Sequence, residues 1–298
     1  MSRALFSGRL AGLLGALVLG AMTGAAAQAP SRSATPGAPA KVVVPSLESR
    51  GARPLALDGF WFTAPGEGRR PALVLLHGCG GPYDRQGRLS SRLRSYAGLL
   101  NAQGWHVLVL DSLTARGESE LCTQRIGTRA VTMANRRLDA LGALAWLAQR
   151  EEVDAARLVL LGWSNGGSAV LSASNLTHDD VAAATPRPRA LVAFYPGCDA
   201  ELKRGYRPSA PLQLLVGMAD DWTPAAPCEA LAERAPASIA IERYEGAYHG
   251  FDATAPVTLR KDVPNGVHPG QGVHVGGNAA AAQASRARML AFLNEQLR

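Results

Sequence analysis

Arg157-Leu158-Val159-Leu160-Leu161-Gly162-Trp163-Ser164-Asn165-Gly166-Gly167 is the stretch from which the rest of the chain can be read. An apolar run short enough for a buried strand passes into Gly-x-Ser-x-Gly, and Ser168-Ala169-Val170-Leu171-Ser172-Ala173 continues as a helix. That context is what a nucleophile elbow requires: a serine on a sharp strand-to-helix turn, with glycine on either side because a Cβ there would strike strand or helix. The helix N-terminus behind Ser164 favours developing negative charge. Gly-x-Ser-x-Gly also arises by chance in glycine-rich loops, and the chain has 32 Gly, but the flanking strand and helix argue against that reading.

Working outward, strand and helix signals alternate. Residues 42–44 and 56–62 predict one or two edge strands, and residues 66–71 a turn. Residues 72–77 form a continuous apolar run, the pattern of a strand buried on both faces and hence of a parallel sheet. Further strands are predicted at 105–111, 157–163, 190–195, 212–217 and 239–244. Helical spacing predicts helices over 89–103, closed by Gly104, over 130–149, and over 278–297 with Asn278 as N-cap. The Pro/Gly-rich residues 253–277 read as loop. The expected fold class is α/β, a mostly parallel central sheet with helices on both faces.

The 298 residues, 47% hydrophobic and 18% charged, suit one α/β domain. Arg3 and Arg9 precede the apolar run 10–22, and Ala25-Ala26-Ala27 supplies a small-x-small cleavage site. Residues 1–27 therefore predict a secretory signal peptide rather than a transmembrane anchor, for which the run is short. Residues 28–40 predict a disordered linker, leaving 41–298 as the folded domain of an exported, periplasmic or secreted protein with no stable membrane association after cleavage. Losing Arg3 and Arg9 lowers the formal charge from +7 to +5, 29 basic against 24 acidic residues. Scattered arginines without a basic run exclude a nucleic-acid footprint. Cys79, Cys122, Cys198 and Cys228 are an even number in an exported segment, consistent with two disulfides; three pairings are open. None has the C-x-x-C spacing of a zinc site or a redox dithiol.

In parallel sheets ligands bind outside the carboxyl ends of the strands, and the candidate residues collect there. A serine hydroxyl needs a base within hydrogen-bond reach, itself oriented by a carboxylate. Of six histidines, His106 reads as a core residue, His77 as a shaper of the loop it begins, and His178, His268 and His274 as surface residues. His249 follows the last strand, after Ser164 and the candidate acids Asp220 and Asp221, which gives the chain order Ser, Asp, His. Asp220 leaves its strand first and is the preferred acid, with Asp221 its rival. The backbone N–H groups of Cys79, in His77-Gly78-Cys79-Gly80-Gly81, and of Asn165 are the candidate oxyanion donors. That glycine run lacks the Lys-Ser/Thr of a phosphate loop. Tyr83, Trp163, Tyr195 and Trp222 flank these positions and are candidate substrate contacts.

Taken together, His-Gly-Cys-Gly-Gly at 77–81, Gly-Trp-Ser-Asn-Gly-Gly at 162–167, Gly-x-x-Asp-x-x-x-Pro at 217–224 and Gly-Ala-Tyr-His-Gly-Phe at 246–251 resemble the dienelactone hydrolase family of the α/β-hydrolases. The resemblance implies a single α/β-hydrolase domain, no metal or organic cofactor, and hydrolysis of small-molecule carboxylic esters or lactones. Carried residue by residue, it implies Ser164 as nucleophile, Asp220 as acid and His249 as base. The founding members are intracellular and use a cysteine nucleophile, whereas this chain has serine and an export signal, so it looks like a secreted serine esterase on that scaffold. The rivals are a peptidase of the same fold, a polyester or acyl-polysaccharide esterase, and a non-catalytic exported binding protein on a hydrolase scaffold. The last would be marked by a missing triad member, and none is missing. In this layout Cys79 and Cys122 lie on loops after consecutive strands, as do Cys198 and Cys228, and these two pairings are expected.

Overall fold

Eight strands make one twisted sheet whose order, not their sequence, brings the chemistry-bearing loops together. The computed structural model describes residues 38–298. The strands are β1 (Ala40–Arg50), β2 (Arg53–Phe62), β3 (Arg70–Leu76), β4 (His106–Leu110), β5 (Val153–Trp163), β6 (Ala190–Phe194), β7 (Leu212–Gly217) and β8 (Ile239–Tyr244). Their order is β1-β2-β4-β3-β5-β6-β7-β8. β1 and β2 pair antiparallel, as do β2 and β4, and every other neighbouring pair is parallel. Successive strand residues face opposite sides, and both sides are covered. On one side Val74, Leu158, Leu160, Leu191 and Leu214 pack with the helices α2 (Met133–Ala148) and α3 (Asn165–Ser172). On the other, Leu73, Val107, Leu161, Val192 and Phe194 pack with α1 (Ser91–Asn101) and the C-terminal helix α7 (Ala279–Gln296). The fold is the predicted α/β architecture.

Side-chain caps set the helix starts. Ser90 caps α1, Thr132 and Asn135 form a capping box on α2, and Asn278 accepts from Ala281 N–H at the start of α7. The elbow helix begins directly after Ser164 rather than at Ser168.

Several expectations are corrected. β1 starts at Ala40, the last residue of the predicted linker 28–40, a boundary shift of one residue; the predicted signal peptide 1–27 and linker residues 28–37 lie outside the described residues. β2 is not an edge strand, being covered by β1. Three short helices were not predicted: α4 (Asp179–Ala183), α5 (Asp199–Arg204) and α6 (Ala226–Arg234). With one to three buried residues apiece they carry too little periodicity to read. The predicted loop 253–277 contains an antiparallel pair, β9 (Thr258–Arg260) and β10 (Val273–Val275). Among the described residues no helix is long and apolar enough to cross a membrane.

α2 lies so close to β1 that a Cβ on Gly142 would sit 2.3 Å from the Pro45 carbonyl oxygen. Gly142→Ala gains about 1 kcal/mol of helix propensity. Overpacking against backbone typically costs about 1–3 kcal/mol and should win. The urea midpoint of the variant should fall; a raised midpoint would show that the helix simply shifts away.

Candidate active site

Ser164 occupies the turn between β5 and α3 with φ 53°, ψ −119°, a conformation L residues rarely adopt. The flanking glycines make it possible. A Cβ on Gly162 would lie 2.2 Å from the Gly166 carbonyl oxygen, and one on Gly166 would lie 2.0 Å from that of Leu76. Backbone bonds fix the turn: Ser164 N–H donates to Phe194 O at 2.9 Å, and Ser168 N–H donates to Ser164 O at 2.8 Å.

The Ser164 hydroxyl lies 2.8 Å from His249 Nε2, and His249 Nδ1 lies 2.8 Å from Asp220 Oδ2. A carboxylate only accepts, so Nδ1 carries the proton and Nε2 is free to accept from Ser164. The His249 and Asp220 side chains are buried. Asp220 Oδ1 accepts from the N–H groups of Trp222 and Thr223 at 2.9 and 2.8 Å. Thr223, which sequence reasoning did not single out, places its hydroxyl 3.0 Å from Asp220 Oδ2, from His249 Nδ1 and from the Tyr195 carbonyl oxygen. Its place three residues after Asp220, inside the Gly-x-x-Asp-x-x-x-Pro stretch, was the available signal.

The adjacent acid turns elsewhere. Asp221 Oδ1 accepts from His274 N–H at 2.8 Å, and Oδ2 lies 2.7 Å from His274 Nδ1. With Val267 N–H on Asp221 O and Gly276 N–H on His249 O, this pins segment 253–277 beside the site. A cavity of about 290 Å³ results, bordered by Ser164, Cys79, Asn165, Trp222, Ile126 and Val267. Asn265 bridges its two loops, donating to Gln124 O and accepting from Ile126 N–H. Disulfides join Cys79 to Cys122, loop to loop, and Cys198, at the start of α5, to Cys228 in the first turn of α6.

Of the aromatic candidates, Trp222 borders the cavity, and its ring lies 4.6 Å from that of His249. The other three do not border it. Trp163, one residue before Ser164, is buried in the layer below and stacks on Phe194. It borders a different cavity, of about 540 Å³, with Arg92, Asp252 and Arg286. Tyr195 is buried with strained φ 37°, packs edge-on to His249 and donates to the buried Asp252 Oδ1 at 2.6 Å. Burial raises its hydroxyl pKa well above the usual tyrosine value. Tyr83 packs against Phe60 and does not border the Ser164 cavity.

The other histidines have separate duties. His77 is buried, donates from Nδ1 to Gly78 O and accepts Ser112 N–H at Nε2. Burial, then the nearby Arg136 guanidinium, pushes its pKa down to about 3, so the ring is neutral. His106 is a core residue accepting Ala64 N–H. His178, predicted at the surface, is buried 3.2 Å from Glu201, because α4 and α5 fold over it. His274 is likewise engaged, and His268 is exposed.

The sequence profile of the Dienelactone hydrolase family matches residues 57–297. The chain belongs to the dienelactone hydrolase family. Among curated proteins none matches it. Solved structures share its fold. One is a dienelactone hydrolase-like promiscuous phosphotriesterase, P91, from metagenomic libraries, 18% identical, covering 88% of this chain and 100% of that one at TM-score 0.64. Another is Thermogutta terrifontis esterase 2 phosphorylated by paraoxon, 18% identical, covering 86% and 94% at TM-score 0.56. A third is a Mycobacterium tuberculosis puromycin-hydrolyzing peptidase, 19% identical, covering 87% of this chain but 40% of that one at TM-score 0.59. The sheet and helices of this dienelactone hydrolase family member are thus those of an α/β-hydrolase.

Tyr195→Phe removes the donor of the 2.6 Å bond to buried Asp252. Hydrogen bonds to charged groups contribute about 1.5–3 kcal/mol, so urea unfolding should show a loss of about 2 kcal/mol. A loss below about 0.5 kcal/mol would mean that other donors already satisfy that carboxylate.

Proposed function

We propose that the protein is an exported serine esterase that hydrolyses carboxylic esters or lactones through an acyl-enzyme. The observation that carries the reading is the pair of 2.8 Å hydrogen bonds from Ser164 through His249 to Asp220, on a turn bordering an accessible cavity. Ser164 Oγ attacks the ester carbonyl carbon while His249 Nε2 takes its proton, and Asp220 holds the ring and stabilises the imidazolium. The N–H groups of Cys79 and Asn165, both at the cavity, hold the oxygen that gains negative charge. The imidazolium protonates the leaving alcohol, and the acyl group remains on Ser164. Water then loses a proton to His249, attacks the acyl carbon and releases the acid, returning the proton to Ser164.

Trp222, Ile126, Val267 and Pro224 give the cavity an apolar lining suited to the hydrocarbon part of an ester. Export rests on the predicted signal peptide 1–27 and on two disulfides, which persist in oxidising compartments. The puromycin-hydrolyzing neighbour makes an aminoacyl amide the right comparison substrate for the peptidase alternative.

Ser164→Ala should cut hydrolysis of a short-chain nitrophenyl ester by at least about 10³-fold and abolish labelling by a fluorophosphonate. Near-wild-type turnover would refute the assignment, and absence of labelling in the wild type would favour a binding protein. Asp220→Asn should lower kcat by at least about 10²-fold, whereas Asp221→Asn should stay within about tenfold of wild type. The reverse ranking would make Asp221 the acid.

A further inference from the structure

Arg136, on the inner face of α2, is completely buried. Its Nη1 donates to Asn165 Oδ1 at 2.5 Å and its Nη2 to the His77 carbonyl oxygen at 2.8 Å, while Nε has no partner. Among the described residues no carboxylate forms an ion pair with it. Asp139, one turn along α2, is hydrogen-bonded to Arg116 and Ser46 and acts on Arg136 only through space, as do Asp111 and the cations Arg116 and Arg129. Burial lowers its pKa to about 10, so the guanidinium is still charged at neutral pH.

A buried cation without a paired anion is costly, and a neutral side chain would join two oxygen acceptors at lower cost. The two acceptors explain its presence. One is the side chain of Asn165, whose own N–H is a candidate oxyanion donor. The other is the carbonyl two residues before Cys79, whose N–H is the second. A rigid planar fork therefore spans the elbow and the glycine-rich loop, fixing the separation of the two donors. Its charge lies behind both in a low-dielectric interior, where a fixed positive potential favours an oxygen that becomes negative. The neutral His77, depressed partly by this charge, fits that potential.

We propose that Arg136 is a positioning residue for the oxyanion site, acting through Asn165 and the His77–Cys79 backbone to stabilise the transition state and not the bound substrate. This rests on the esterase reading above. It predicts that Arg136→Met lowers kcat by about 30-fold or more with KM within about threefold, removal of a direct oxyanion donor costing about 10²–10³. Arg136→Lys, which keeps the charge but not the fork, should recover part of the loss. Affinity for a trifluoromethyl ketone, which forms a tetrahedral adduct with an active serine, should fall in step with kcat.

Circular dichroism and thermal melts establish that each variant is folded. A folded Arg136→Met with kcat within threefold of wild type, or with lowered kcat but undiminished ketone affinity, overturns the proposal. Should Arg136→Met not fold, Arg136→Lys and Asn165→Ala carry the test. Asn165→Ala keeps the N–H and removes one anchor, so kcat and ketone affinity should drop together about five- to tenfold, and unchanged values overturn the proposal. Failure of the wild type itself to bind the ketone would instead overturn the esterase reading.

Discussion

The turn at Ser164 depends on three backbones meeting where no side chain fits. Gly162 closes on Gly166, and Gly166 closes on the end of β3, each at a distance a Cβ would violate. A left-handed serine costs on the order of 1–2 kcal/mol, which persists only if the surroundings over-determine it. Here β5, held between β3 and β6, delivers Ser164, and α3 passes so close to the end of β3 that a Cβ on Gly166 would strike the Leu76 carbonyl oxygen. The same contact brings the elbow against the glycine-rich loop after β3, where Arg136 joins Asn165 to the His77 carbonyl oxygen.

Burial of the acid is the second condition. Asp220 has lost its water but receives the N–H groups of Trp222 and Thr223 and the Nδ1–H of His249. Three donors offset the desolvation that would make an unpartnered buried carboxylate intolerable. The ring of His249 is confined between Tyr195 and Trp222, 4.7 and 4.6 Å away, so its orientation is set by packing as well as by the carboxylate. Tyr195 is in turn held by Asp252, three residues after His249, which ties that loop to the end of β6.

What could be read from the sequence was whatever is encoded locally. Interior strands announce themselves because both faces are buried, and Ser164, Asp220 and His249 lie in short stretches at strand ends whose spacing reflects the turn itself. Facing direction was not legible for Trp163 and Tyr195, since proximity in sequence to a site residue does not say which side of a sheet an aromatic enters. β9 and β10 were invisible because three-residue strands carry no period; contacts with Asp221 and His249, distant in sequence, place them. His178 looked like a surface residue because its partner Glu201 is 23 positions away.

Arg136 marks the limit of pattern reading. An arginine within the α2 periodicity, here the first of the pair Arg136-Arg137, reads as an exposed residue, because side chains of that type are almost never fully buried without a partner. Its acceptors, Asn165 and the His77 carbonyl, lie 29 and 59 positions away, and only the crossing of α2 behind β3 and β5 brings them together. The residues proposed to react, Ser164, Asp220 and His249, belong to local motifs because a turn must present them, whereas a residue that braces those turns from behind is placed by tertiary packing. The sequence therefore names the candidate reacting groups before it can name the groups that aim them.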